Sequence, residues 1–353
     1  PQRILSIMKT DATKIIGSIL FVGIFFFLGI SVQAQDQSSD FEQFKDQFKK
    51  EYFSVGGLLQ TIGDYQFERV NGENGFSAGN ARIKVYGEFD DKFGYQLQTN
   101  FVSSNALLDA NIYYNLTPSF SVKAGLFTAP FSYEYLTGAA ATDFVNRSSV
   151  VNHLAPKRQL GLQLQGKLAD GMFKYTAGMF NGNGFGPNQN DDDQFLYTAR
   201  LETNSGLGGG LGDSFVMGLN ASYEQSKSAT SGAGLLSQVE GEQLLLGADT
   251  RISYKEMMLA GEFIYSTINA DAGPEYNPFG YYVTGGYLIT PKMQLLARWD
   301  YFDGDFIGTS SESVIGGINI FPSDFSEVQL NYIYPVEDGA DFSRILLNLQ
   351  INF

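Results

Sequence analysis

From Tyr52 to Phe353 the chain repeats one pattern, segments of about ten to twelve residues in which apolar and polar side chains alternate, broken by turn residues. Ala81, Ile83, Val85, Gly87 and Phe89 alternate with Arg82, Lys84, Tyr86 and Glu88. Leu108, Ala110, Ile112, Tyr114 and Leu116 alternate with Asp109, Asn111, Tyr113 and Asn115, and Ile345, Leu347, Leu349, Ile351 and Phe353 with Arg344, Leu346, Asn348, Gln350 and Asn352. A period of two is that of a strand, and no convincing helix interrupts it. Strands are expected near 52–66, 76–90, 93–103, 106–117, 119–128, 158–169, 171–181, 194–204, 213–226, 242–255, 256–268, 279–290, 292–303, 311–321, 325–336 and 342–353. About sixteen such strands, an even number, suit an all-β transmembrane antiparallel barrel with an aqueous lumen.

The connections give an independent test, because outer-membrane barrels join strands by short turns on the periplasmic side and longer loops outside. Asp90 to Lys92, Thr117-Pro118, Ala169-Asp170, Thr290-Pro291 and Phe321 to Ser323 are tight. Asn181 to Asp193, Ser226 to Gly241 and Asn269 to Pro278 are longer and alternate with them, the Gly-rich Asn204 to Gly212 being the one exception on the tight side. The third long connection, about Ala129 to Lys157, exceeds an ordinary hairpin and is expected to fold inward and narrow the pore. A soluble β-sandwich needs only about seven to nine strands and gives no reason for this asymmetry.

Charge follows the same alternation. With the apolar parity toward lipid, Arg82, Lys84, Lys123, Lys167, Lys174, Arg200, Arg251, Lys255, Arg298 and Arg344 fall on the lumenal parity. So do Glu88, Asp109, Glu202, Glu224, Asp249, Glu262, Asp300 and Glu327. An Arg or Lys facing lipid at mid-depth costs about 2–4 kcal/mol, which explains the segregation. Tyr95, Tyr197, Tyr223, Tyr254, Tyr265, Tyr301, Tyr334 and Phe353 lie near strand ends on the outward parity, where aromatic rings settle at headgroup level. Gln96, Gln98, Asn100, Gln163 and Gln165 are expected to line a solvated interior, in contrast to the bulky apolar filling of a plugged adhesive or structural barrel.

Ahead of the barrel, Lys9 and Lys14 precede an uncharged apolar run from Ile15 to Ile30 that ends in SVQAQ. With small residues at Val32 and Ala34, residues 1–34 read as a secretory signal cleaved after Ala34, residues 1–7 being upstream read-through; a retained membrane anchor is the competing reading. Residues 35–51 follow as a short periplasmic segment in which Phe41, Phe44 and Phe48 have helical spacing, and 52–353 are the barrel.

Charged residues are only 17% of the chain and mean hydropathy is near neutral, against both a bundle of apolar helices and disorder. The absence of Cys removes thiolate nucleophiles, disulfides and Cys-based metal sites, and the net charge of −15 disfavours nucleic acid. A barrel hydrolase needs a nucleophile beside a base, but the single His, His153, falls in the long third connection. No G-x-S-x-G elbow or H-E-x-x-H pair is present, so neither enzyme chemistry nor a cofactor is expected. Asp191 to Asp193 with Asn188 and Asn190 fit no defined calcium loop, and a solvated outer loop is the expectation there.

Between Ser121 and Gly184 the chain carries VKAGLFTAPFSYEYLTG, then DFVNRSSVVNHLAPKRQLGLQLQGKL, then FKYTAGMFNGNG. These segments resemble the phosphate-selective porin O and P family, with its G-x-F-x-x-P-F-x-x-E, F-V-x-R, A-P-x-R-x-x-G and Y-x-x-G-x-F-N-G runs. The resemblance implies a sixteen-stranded homotrimeric channel in the outer membrane of a Gram-negative bacterium, with a third loop that constricts the pore and basic residues that guide small anions such as phosphate or polyphosphate. By motif position Arg147 lies in that loop and Lys157 and Arg158 at its exit, while Glu134 and Arg147 have the alternative role of pinning the loop to the wall. The anion-guiding set is then Arg82, Lys84, Lys123, Arg147, Lys157, Arg158, Lys174, Arg200, Arg251, Arg298 and Arg344. Phe353 resembles the terminal aromatic read by outer-membrane assembly machinery. Eight lumenal carboxylates and an acidic chain depart from a strongly basic interior and leave a general diffusion porin as the alternative.

Overall fold

A computed structural model of the chain describes residues 52–186, 188–206, 213–227, 240–305 and 310–353. The expected signal sequence and the segment 35–51 lie outside the described residues. The strands are β1 Ser54–Gln66, β2 Gly75–Phe89, β3 Phe93–Asn100, β4 Leu107–Thr117, β5 Phe120–Thr128, β6 Arg158–Leu168, β7 Phe173–Phe180, β8 Leu196–Gly206 and β9 Ser214–Ser226. They continue as β10 Gly241–Tyr254, β11 Met257–Ala270, β12 Glu275–Tyr276, β13 Phe279–Thr290, β14 Met293–Asp303, β15 Ser311–Ser323, β16 Ser326–Pro335 and β17 Arg344–Asn352. Sixteen of them form the barrel. Each pairs antiparallel with the next in sequence, and β1 pairs with β17 from Leu58↔Asn352 to Gln66↔Arg344, which closes the sheet.

Three sequence expectations need correction. The two-residue β12 pairs with the end of β11 inside a connection read as loop, because Ile268 and Asn269 extend the ladder to Tyr276 and Glu275. Lys255 sits in the turn between β10 and β11 with a left-handed backbone (φ 53°), not on a strand. The third connection holds two short helices, α1 Tyr133–Leu136 and α2 Ser149–Leu154, where none was expected. Runs this short carry no readable period and are held by tertiary packing rather than propensity.

The alternation resolves into two faces. Leu59, Leu97, Leu164, Leu219, Val283, Leu330 and Leu349 are exposed, while the residues between them, such as Gln60, Asn111, Gln163, Asn220, Thr284, Gln329 and Asn348, are buried. An apolar outside and a polar inside invert a soluble protein and match a barrel whose solvent is lipid. Tyr197, Tyr223, Tyr254, Tyr334 and Phe353 are exposed among the expected outer aromatics. Tyr95 stacks on Phe89, which stacks on Tyr52, and its hydroxyl donates to the Tyr52 carbonyl at 3.0 Å.

Residues 129–157 pack against the polar face. Their backbone carbonyls meet amide side chains in strand order: Ala139 accepts from Gln60 of β1, Ala140 from Gln350 of β17, Thr142 from Gln329 of β16 and Asp143 from Asn319 of β15, at 2.8–3.2 Å. Val145 N donates to Asn331, and Ser149 N to both Asp300 oxygens at 3.1 Å. An irregular main chain has no ladder partners of its own, so wall amides supply them. Phe131, Val150, Val151, Leu154 and Ala155 form an apolar cluster with Leu245, Ile264, Ile268, Tyr282 and Phe302 of β10, β11, β13 and β14, and Phe144 sits in a second with Met258, Ala260, Leu296 and Ile315. Two ion pairs fasten the same segment: the buried Glu134 Oε1 to Arg298 Nη2 at 2.6 Å and the partly buried Asp143 to Arg251 at 2.7 and 3.0 Å.

Two outcomes follow from this docking. A Cβ at Gly280 of β13 would lie 2.5 Å from the Tyr301 carbonyl oxygen and 2.8 Å from Val150 Cβ. Gly280→Val is therefore expected to push α2 from the wall at a cost of about 1–3 kcal/mol, read as new protease cleavage within 129–157 of the folded barrel. Arg298→Leu leaves Glu134 buried without its partner and is expected to destabilise the docked segment by about 3–5 kcal/mol. The double variant with Glu134→Leu recovers most of that loss when unfolding midpoints are compared in detergent.

Candidate functional site

The docked segment covers one part of the interior, from β9 round to β1, and leaves the β2–β8 side open. Two adjoining cavities of about 350 Å³ each lie between that wall and the docked segment, the first reaching round to Gly56–Leu58 of β1 and Asn352 of β17. Arg82, Lys84, Arg147 and Arg158 line the first, with Tyr86, Tyr135 and Leu136. Lys84, Lys123, Arg158, Lys174 and Arg200 line the second, with Gln96, Gln98, Gln163 and Gln165. Asn100 and Gln163, expected to be solvated, are instead buried: Asn100 accepts from Ala81 N and donates to Asn80, and Gln163 donates to Gln165.

The eleven basic residues separate by partner. Arg200 is bonded to Asp249 through both terminal nitrogens at 2.5 and 2.9 Å and to Glu202 at 2.9 Å. Arg298 and Arg251 hold Glu134 and Asp143 of the docked segment, and Arg344 forks onto Asp64 at 2.6 and 2.5 Å. These four guanidiniums spend their charge on carboxylates. On the open side Arg82 donates to the neutral Asn80, and Arg147 donates to the carbonyls of Glu134 and Thr137 at 3.1 and 2.7 Å. Both partners of Arg147 lie in its own loop, so it braces the turn after α1, while the wall attachment falls to Glu134. Arg158 has one carboxylate, Asp109, at a looser 3.2–3.4 Å. Lys157 lies at the exit of the loop with a left-handed backbone (φ 62°), its carbonyl accepting from Ala129 N, and lines neither cavity. Burial draws both Arg147 and Lys157 below their ordinary pKa values, as desolvation disfavours the charged form.

The lumenal carboxylates fall mainly on the covered side. Glu262 accepts from Glu134 N, Asp300 from Ser149 N and Glu327 from Gln350, beneath or beside the docked segment. Asp109 and Glu202 are the carboxylates that line the two open cavities. The near balance of charge along the lumenal parity is thus not a balance in space. Sequence parity finds which groups face inward, but not which of them the third connection covers.

His153 stacks on Phe302 with centroids 4.4 Å apart, its Nδ1 2.8 Å from the Ser149 carbonyl, as expected of a loop-packing group. Asn190 accepts from the backbone amides of Asp192 and Asp193, a local turn cap, and no metal-binding cluster of acidic or His residues occurs among the described residues.

Known structures share this architecture. The anion-selective porin from Comamonas acidovorans superposes with a TM-score of 0.66 at 12% identity, over 85% of this chain and 98% of that one. The trimer form of OmpT from Vibrio cholerae gives 0.59 at 12%, over 85% and 99%. The outer membrane channel DcaP of Acinetobacter baumannii gives 0.60 at 13%, over 85% and 97%. No curated protein matches the chain in sequence. At such identities the superpositions establish the fold, while the family profile of the phosphate-selective porin O and P proteins matches residues 59–340, most of the barrel. The chain belongs to the phosphate-selective porin O and P family, outer-membrane channel proteins of Gram-negative bacteria.

Proposed function

We propose that this porin passes small anions, phosphate or another oxyanion among them, through the space between the docked third loop and the β2–β8 wall. The observation that carries the reading is the spatial separation of charge. Arg82, Lys84, Lys123, Arg147, Arg158 and Lys174 line the open side, whereas Glu262, Asp300 and Glu327 are engaged near the loop. An oxyanion crossing a narrow passage exchanges water for charge-assisted hydrogen bonds, and cations without tight carboxylate partners supply them. In this reading the loop is the constriction, and Arg200, Arg251, Arg298 and Arg344 shape the wall and hold the loop rather than meet the solute. The family and the anion-selective neighbour agree with it. We take the assembly to be a homotrimer in outer-membrane lipid, OmpT being a neighbour with a trimer form, and Phe353 to be the residue read by the assembly machinery. The polar lumen and the packing role of His153 support a channel rather than an enzyme.

A general diffusion porin without phosphate selectivity is the second reading, favoured by Asp109 and Glu202 among the cations. Single-channel recording in a planar bilayer under a salt gradient, with phosphate titrated against chloride, separates the two. The expected result is an anion-directed reversal potential, block of chloride current by phosphate, and at least about a twofold fall in the anion-to-cation permeability ratio in the Arg82→Gln, Lys84→Gln double variant. A cation-directed or zero reversal potential overturns the anion reading, and anion preference without phosphate block leaves general diffusion of anions.

A further inference from the structure

Four of the cations on the open side, though not Arg82 or Lys174, lie against an aromatic ring. Lys84 Nζ lies 4.7 Å from the centroid of the Tyr86 ring, and Lys123 Nζ 5.2 Å from that of Phe127. The Arg147 guanidinium lies 5.1 Å from Tyr135, and that of Arg158 6.0 Å from Phe185. A long basic side chain in a water-filled lumen wanders unless something holds it. A carboxylate holds it but cancels its field, whereas an aromatic face attracts the cation through its quadrupole and carries no net charge. Arg298 provides the contrast within the same barrel: it lies 4.5 and 4.4 Å from Phe144 and Tyr282, and its charge is nevertheless taken by Glu134.

We propose that Tyr86 and Phe127 are positioning residues for anion selectivity, each holding a lysine at the passage wall while leaving its charge available to the solute; Arg147 and Arg158, which also face rings, are held as well by the carbonyls of Glu134 and Thr137 and by Asp109. The proposal rests on the anion-conducting reading above. Tyr86 makes the sharpest case. It belongs to the inward parity, is 42% exposed, and lines the same cavity as Lys84. Packing alone does not place an exposed ring in a polar lumen; holding the ammonium beside it does. Phe127 is the buried counterpart, 3% exposed and packed edge-on against Phe180 at 5.5 Å, so the platform under Lys123 is itself fixed by the wall.

The experiment compares reversal potentials under a salt gradient for wild type, Tyr86→Leu, Tyr86→Phe, Phe127→Leu and the charge control Lys84→Gln. The potential is read only from folded, inserted channels, so a variant that folds poorly gives fewer insertions and not a shifted potential. Leucine at either site keeps apolar bulk and removes the ring face. It is expected to lower the anion-to-cation permeability ratio by about two- to fivefold, with Tyr86→Phe retaining the wild-type ratio. Unchanged ratios in both leucine variants, with a reduced ratio in Lys84→Gln, overturn the positioning role and leave the anion reading standing. A wild-type channel with no anion preference overturns the anion reading, and this inference with it.

Discussion

The structure depends on the pairing of its first and last strands. In lipid an unpaired backbone N–H or C=O costs several kcal/mol, and an open sheet would carry a whole row of them. The β1–β17 ladder removes that row, and Gly57 with Phe353 extends it by exchanging both main-chain bonds, at 2.8 and 3.1 Å. The terminal aromatic ring lies over Gly57, where a Cβ would approach it to 2.5 Å. Closure converts the period of two in each strand into an inside and an outside. Every later feature of the lumen, including which side chains a loop meets there, follows from that division.

The third loop then divides the inside. Its irregular backbone brings carbonyls and amides into a confined space, and successive strands answer with Gln60, Gln350, Gln329, Asn319 and Asn331. Its apolar residues meet a patch of equally apolar inward residues on β10, β11, β13 and β14. Each buried Val, Leu or Phe contributes about 1.5–3 kcal/mol, so the cluster alone holds the segment firmly against that wall. Arg298, Arg251, Asp300 and Glu262 are engaged in the same attachment. What remains beside the passage is the β2–β8 wall, and its charge is mainly positive.

Much of this was legible in the alternation. Strand ends such as β13 and β5 fall within a residue of where the pattern puts them, because the turn residues Thr290-Pro291 and Thr117-Pro118 mark them. Closure and the inward parity of Arg82, Lys84 and Asp109 follow from the same period. The division of the lumen was not legible, for a physical reason. An inward Gln at position 98 and an inward Gln at position 329 look alike in sequence, yet one lines a cavity and the other holds the Thr142 carbonyl. Leu245, Ile264 and Ile268 give a similar lesson: apolar residues in a polar lumen make sense only once Val150, Val151 and Leu154 lie against them. Helices α1 and α2 were missed because their lengths leave no period to read.

The net charge of −15 is compatible with the anion passage proposed above, because selectivity is set by the groups an ion meets and not by the sum over the chain. Acidic residues occur where their fields act elsewhere: at the rims, as in Asp90-Asp91 and Asp191 to Asp193, and under the loop, where Glu134 and Asp143 meet Arg298 and Arg251. The inward parity thus serves three demands at once. Amides satisfy the main chain of the loop, apolar groups give it a dry footing, and basic groups face the water that is left. A substitution on that parity acts through whichever demand its neighbours impose: Gln329 touches loop backbone and Lys84 touches solvent, although both obey the same alternation.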